Sequence, residues 1–173
     1  MTENIMTVDE RYTCATHARR LVVDAEHRSD VDVLVAAGWS GARLGMALLR
    51  LHSEWDGATR RGVVCNVIDR LHSLPAVRRE LVRVVSGWGV ASPLDVVCGV
   101  LVWWLDGVCP VCHGVTREQI KGTPMLSLVK CPACRGSGKK SLPHGETGRR
   151  LADEIDTCLY SARRSLKKRL QQH

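Results

Sequence analysis

Apolar residues in the first hundred positions recur at intervals of three and four, the spacing that lines one face of a helix, with frequent Gly, Pro and Ser interruptions. In "VDERYTCATHARRLVVDAEH", Tyr12, Ala15, Ala18, Leu21 and Val22 share roughly one face, which predicts a helix near residues 8–27. "DVDVLVAAGWSGARLGMALLRLHSEW" reads as helix, turn, helix: an apolar patch, a break at Gly38 to Gly41, then Leu44, Leu48 and Leu51 at helical spacing. Val63, Val64, Val67, Ile68 and Leu71 form a further stripe that stops at Pro75, and "PAVRRELVRVVSGW" opens another helix with a proline suited to a first turn. "SPLDVVCGVLVWWLDG" starts at a Ser92 cap followed by Pro93 and ends at Gly107. No strand alternation of comparable length precedes Cys109, so residues 1–108 are predicted to be all-helical.

The same period returns after Ser141. Leu151, Ile155, Leu159, Ala162, Leu166 and Leu170 fall on one stripe, while Arg149, Arg150, Arg163, Arg164, Lys167, Lys168 and Arg169 occupy the other faces. This predicts a basic amphipathic helix of about 25 residues, with Asp153, Glu154 and Asp156 early and the cations late, as the helix dipole favours.

Charge sharpens this division. The chain carries a net +7, but residues 1–108 hold 12 Arg against 13 acids, whereas residues 109–173 hold 13 Lys plus Arg against 5 acids. All the excess positive charge therefore lies in the C-terminal part, which points to a polyanion or an acidic protein surface as its partner. The longest apolar run, Val96 to Leu105, is ten residues, about half of the ~20 needed to cross a bilayer. Residues 1–30 contain six acids and no signal-peptide core, so the expected location is the cytoplasm, with no membrane association.

Between the two helical parts lies "CPVCHGVTREQIKGTPMLSLVKCPACRGSGKK". Its spacing, C-x2-C-x18-C-x2-C over Cys109, Cys112, Cys131 and Cys134, is that of a four-thiolate zinc site. In a reducing compartment such pairs bind metal more readily than they form structural disulfides. The intervening residues are expected to return the chain as a β-hairpin turning near Gly122 and Pro124. With all four metal positions filled by protein, the role is structural. The remaining cysteines, Cys14, Cys65, Cys98 and Cys158, lie in mostly apolar helical stretches and read as small core residues. "CPACRGSG" is a complete Cys-x-x-Cys-x-Gly-x-Gly unit of the kind found in DnaJ-type zinc modules, and "CPVCHGVT" keeps its first glycine and loses its second. Histidines are scattered, and no grouping of nucleophile, base and orienting residue or phosphate-cradling glycine loop is visible.

The order of a helical region, a degenerate and then a complete Cys-x-x-Cys-x-Gly unit, and a Lys/Arg-rich helix introduced by "SLPHGETGRRL" resembles the lambda-type Q late-gene antitermination proteins of bacteriophages. "DVLVAAGWSGARLGMALLRL" also looks like a segment of that family, which has an Asp-Val opening, an Ala-x-Gly break and a Gly-Met-Ala helix. The resemblance implies a protein that binds DNA near a late promoter and loads onto the host's bacterial RNA polymerase holoenzyme, so that pauses and terminators no longer stop transcription. It also implies zinc on Cys109, Cys112, Cys131 and Cys134.

The expectation is thus a mainly α protein: a helical domain over 1–108, a four-cysteine zinc-binding β-hairpin module over 109–138, and a basic amphipathic helix over 139–173 packed with the helical domain. It is read as non-enzymatic. From charge, the candidate nucleic-acid contacts are Arg135, Lys139, Lys140, Arg149, Arg150, Arg163, Arg164, Lys167 and Lys168. A zinc-stabilised repressor or activator, a protein-interaction adaptor and a thiol oxidoreductase are the alternative readings.

Overall fold

The computed structural model describes residues 6–21, 29–38, 40–55, 68, 70–120, 122–123 and 125–171. Among these the chain is mainly helical: α1 (Val8–His17), α2 (Asp30–Gly38), α3 (Arg43–Glu54), α4 (Leu74–Ser86), α5 (Pro93–Leu105) and α6 (Gly145–Gln171), with a hairpin of β1 (Arg117–Gln119) and β2 (Leu126–Lys130) between α5 and α6. The predicted helix–break–helix over residues 30–54 is α2 and α3. The stripe Val63 to Val67 lies outside the described residues, while Ile68 and Leu71 are buried.

Local chemistry sets several boundaries. Thr7 caps α1 by accepting the Glu10 backbone N–H at 3.2 Å, and the Glu10 carboxylate accepts the Thr7 N–H at 2.7 Å. The Thr7 N–H and the Thr7 hydroxyl, both donating to the Glu10 carboxylate, also hold that carboxyl below its ordinary range. Instead of running to residue 27, α1 stops at His17. Thr16 Oγ1 and His17 Nδ1 both lie 2.9 Å from the Thr13 carbonyl, so side chains take up a last-turn acceptor and Ala18 turns extended. Leu21 is consequently exposed, not part of the α1 face. Ser92 stands at the N-cap of α5 without a side-chain capping bond, and Pro93 starts the helix unaided. Leu74 precedes Pro75 in the first turn of α4.

One hydrophobic core gathers all six helices. The predicted stripe of α6, Leu151, Ile155, Leu159, Ala162, Leu166 and Leu170, is fully buried in it with Leu48 and Leu51 of α3, Leu81 and Val85 of α4, and Val97, Val100 and Leu101 of α5. The C-terminal helix is therefore structural on its apolar face, packing against α1, α2, α3 and α5. Contact with α3 is closest at Gly45, where a Cβ would overlap the Cys158 carbonyl oxygen and sit 2.7 Å from Ala162 Cβ. Glycine there lets the two backbones meet.

The cysteine prediction holds less well outside the zinc segment. Cys14 is exposed, because it lies on the solvent side of α1 away from Tyr12 and Ala15, and Cys98 and Cys158 are only partly buried. Cys65 lies outside the described residues.

Candidate metal centre

Two identical backbone devices build the centre. After Cys112 come His113 (φ 47°) and Gly114 (φ 86°), and after Cys134 come Arg135 (φ 52°) and Gly136 (φ 84°). Each pair is left-handed, which turns the chain sharply back on the second cysteine of its pair and explains the glycine in Cys-x-x-Cys-x-Gly. The correspondence continues one step further. Gly138 has φ 72°, and Thr116, at the same place in the first unit, has φ 70°. Thus the unit that lost its second glycine keeps the glycine's conformation in a β-branched residue.

The function of that turn is visible at the sulfurs. The Gly138 N–H donates to Cys134 Sγ at 3.3 Å, and the N–H groups of Thr116 and Gly114 serve Cys112 in the same way. Burial pushes the Cys112 thiol up, to about 11. Burial also opposes ionisation of Cys134, but the N–H groups of Gly138 and Gly136 and the neighbouring thiols outweigh it and bring that group down to about 6. At both knuckles the backbone N–H groups favour negative sulfur against burial, and at Cys134 they prevail.

All four sulfurs are buried and lie within 4.8 Å of one another, with Cys112 and Cys134 at 3.5 Å. A tetrahedron with metal–sulfur bonds of about 2.3 Å has sulfur–sulfur edges of about 3.8 Å, so the observed spread brackets the size such an ion requires. A disulfide, at about 2.05 Å, is not formed. These thiols can hold a metal ion, and the buried cluster fits a small zinc-binding module.

The module is anchored at its base. Val108 pairs with Lys139, the Cys109 N–H donates to the Gly138 carbonyl at 2.9 Å, and the Lys140 N–H donates to the Gly107 carbonyl at 2.8 Å. Trp103 Nε1 of α5 donates to the Lys140 carbonyl at 3.0 Å, and Lys140 Nζ pairs with Asp106 at 2.8 Å. The two ends are thus zipped together and fixed to α5. Within the module β1 and β2 are antiparallel with an irregular register, Arg117 opposite Lys130 and Gln119 opposite Leu126, and the turn contains Gly122 as predicted; Pro124 lies outside the described residues.

The basic candidates separate into different roles. Lys140 is engaged by Asp106, so it anchors the module. Arg163 Nε donates to both Asp9 oxygens, at 2.8 and 3.0 Å, and ties α6 to α1; that hydrogen bonding raises its already high pKa. Arg150 stacks its guanidinium 4.3 Å above the Trp88 ring. Arg135, Lys139, Arg149, Arg164, Lys167 and Lys168 are exposed. On α6 the cations form two groups, Arg149 with Arg150 and Arg163 to Lys168, separated by thirteen residues from Arg150 to Arg163, about 20 Å of helix. A cavity of about 790 Å³ between α1 and α6 brings Arg163, Arg164 and Lys167 together beside Tyr160, which is 64% exposed. Tyr160 went unnoticed in sequence because its position, four before Arg164, becomes meaningful only once the outward face of α6 is fixed.

Comparison with known protein families, with characterised proteins and with solved structures yields no match. No helix among the described residues is long and apolar enough to cross a membrane.

Proposed function

We propose that this is a non-enzymatic, zinc-stabilised transcription regulator of the Q antiterminator kind, acting in the cytoplasm of a bacterial host. In this reading it binds DNA near a late promoter and modifies the host RNA polymerase holoenzyme so that it reads through pauses and terminators. The observation that carries the reading is the four-cysteine module with its paired Cys-x-x-Cys-x-Gly knuckles, set between a helical body and a basic helix in the order the resemblance implies. Zinc is the metal we assign, because four buried thiolates at this spacing suit a tetrahedral ion without redox chemistry. When bound, zinc cross-links the hairpin and supplies much of its folding free energy. The chain's own residues then hold the module rigidly to α5 through Lys140, Asp106 and Trp103.

DNA contact is assigned to Arg135, Lys139, Arg149, Arg164, Lys167 and Lys168, with Arg150 contributing charge from its place over Trp88. Six phosphate contacts imply a slope of about −5 for log K against log salt, at about 0.9 per contact. The test is transcription in vitro through an intrinsic terminator with host polymerase, comparing the wild type with Cys131→Ser and with Arg149→Ala/Lys167→Ala. Readthrough that requires the upstream DNA element, is lost in Cys131→Ser and falls in the double variant is expected. Absence of readthrough by folded, zinc-loaded protein on an active template rejects antitermination in favour of a promoter-binding regulator or a protein adaptor.

A further inference from the structure

Among the described residues the large buried apolar cluster lies in the helical body, yet seven of the twelve large apolar side chains that are exposed fall between 111 and 129. Leu128 is 90% exposed and Met125 66%, and Leu126, Val129, Ile120 and Val111 are also open to solvent. Side chains alternate along a strand, so Leu126 and Leu128 lie on one face of β2 and Val129 on the other. A strand apolar on both faces has the composition of an interior strand, covered on each side. Here β2 pairs only with β1, and its outer edge meets no strand among the described residues. An open, apolar edge of this kind is a hazard unless something covers it.

Charge indicates what that something is. Arg117 stands directly opposite Lys130 across the hairpin, a like-charge pair that costs stability, and Arg135 and Lys139 are exposed in the same module against one acid, Glu118. A second copy would bring cations onto cations. A lipid surface satisfies the charge but leaves the backbone donors and acceptors of the strand edge unpaired. Nucleic acid can meet Arg135 and Lys139 through its phosphates, but it offers neither an apolar cover for Leu126, Leu128 and Val129 nor a strand to pair with the edge.

We infer that the outer edge of β2 is a docking site for an extended segment of a partner protein, with an apolar residue beside Leu128 and an acidic residue beside Lys130. The added strand pairs with the open backbone edge and covers the leucines, and its carboxylate relieves the Arg117–Lys130 repulsion. This interaction needs only the folded hairpin and does not depend on the DNA reading.

The experiment is selection from a displayed random-peptide library on the zinc-loaded full chain, with Leu128→Glu as counter-selection. Leu128 is almost fully exposed, so the variant should keep one bound zinc and the wild-type helical signal. Selected peptides should carry Asp or Glu two residues from an apolar side chain and lose at least tenfold in affinity on Leu128→Glu. They should also protect β2 amides from hydrogen exchange. Lys130→Glu should weaken them, and changing the peptide's acid to Lys should restore binding to that variant. No enrichment, or binders indifferent to Leu128→Glu and Lys130→Glu, overturns the proposal. So does concentration-dependent dimerisation abolished by Leu128→Glu, which would make a second copy the occupant. Binding to phosphatidylglycerol vesicles that depends on Leu128, without peptide enrichment, overturns it in favour of a lipid surface.

Discussion

Thr116 offers a direct test of how the metal centre is built, because it is a β-branched residue at φ 70° where the companion knuckle has Gly138 at φ 72°. Holding an L-residue in the left-handed region costs about 1–2 kcal/mol. Thr116→Gly removes that cost but gives the unfolded chain extra freedom worth about 0.5–1 kcal/mol. The net expectation is a gain of about 1 kcal/mol, because the N–H directed at Cys112 is retained and only the strain is lost. Where folding of the module is coupled to metal uptake, that gain is about a fivefold rise in apparent zinc affinity. Competition against a chromophoric chelator at fixed pH measures it. The reverse substitution, Gly138→Ala, places a Cβ 2.9 Å from the Gly114 carbonyl oxygen and 3.2 Å from Thr116 Cγ2 at a positive φ, so it should weaken binding by tenfold or more, about 1.4 kcal/mol. Unchanged or weaker zinc binding in Thr116→Gly, with Gly138→Ala tolerated, would refute the equivalence of the two knuckles.

Further outcomes follow from other parts of the molecule. Gly45→Ala should destabilise the folded chain by about 2 kcal/mol in denaturant melts, since overpacking against the Cys158 backbone exceeds the helix propensity gained, whereas Gly38→Ala, whose Cβ meets nothing within 4 Å, should be neutral or mildly stabilising. Lys140→Ala should cost about 1–2 kcal/mol by breaking a partly buried, charge-assisted bond to Asp106, while leaving the salt slope of DNA binding within error, unlike Arg149→Ala, which should reduce it by about 0.9. Zinc binding should weaken as pH falls: the bound form needs four thiolates, whereas in the apo protein Cys112 is protonated below about 11 and Cys134 takes up its proton only below about 6, so acid competes with metal and does so more steeply below pH 6. Titration of apo protein with cobalt should show tetrahedral thiolate absorption at one equivalent that is lost in Cys131→Ser, with far-UV helical signal largely kept because the core lies outside the module.

The parts of this structure that were legible in sequence are those specified by short-range repetition. Leu151 to Leu170 announce their own buried face, and the cysteine spacing announces a four-sulfur cluster, because period and ligand count are local properties. Side-chain competition at the Thr13 carbonyl is local too, yet it ends α1 at His17, before the apolar pattern runs out at Val22; the pattern shows which face would be buried, not whether the helix continues. What remained illegible was pairing across the chain. Lys140 and Arg163 look like any other cations until the fold brings Asp106 and Asp9 to them, and a charge count assigns all of them alike to a phosphate backbone. The run Leu126–Lys130 was legible as a hairpin strand but not as an exposed one, since an apolar strand normally implies a covering layer and only the fold shows that β2 has none among the described residues.

These same long-range pairs give the molecule its division of labour. The apolar stripe of α6 fixes it in the core, so the direction of its outward cations is set by packing rather than by a ligand. Lys140 and Trp103 fix the base of the module to α5 immediately before α6 begins, so the hairpin and the basic helix are held to one frame. A partner strand on β2 and a polyanion along α6 would therefore engage different elements that share one anchored base. Leu128→Glu should consequently abolish the first without changing the affinity or salt dependence of the second, and Arg149→Ala should do the opposite; coupled loss in either variant would mean that a single ligand spans both surfaces.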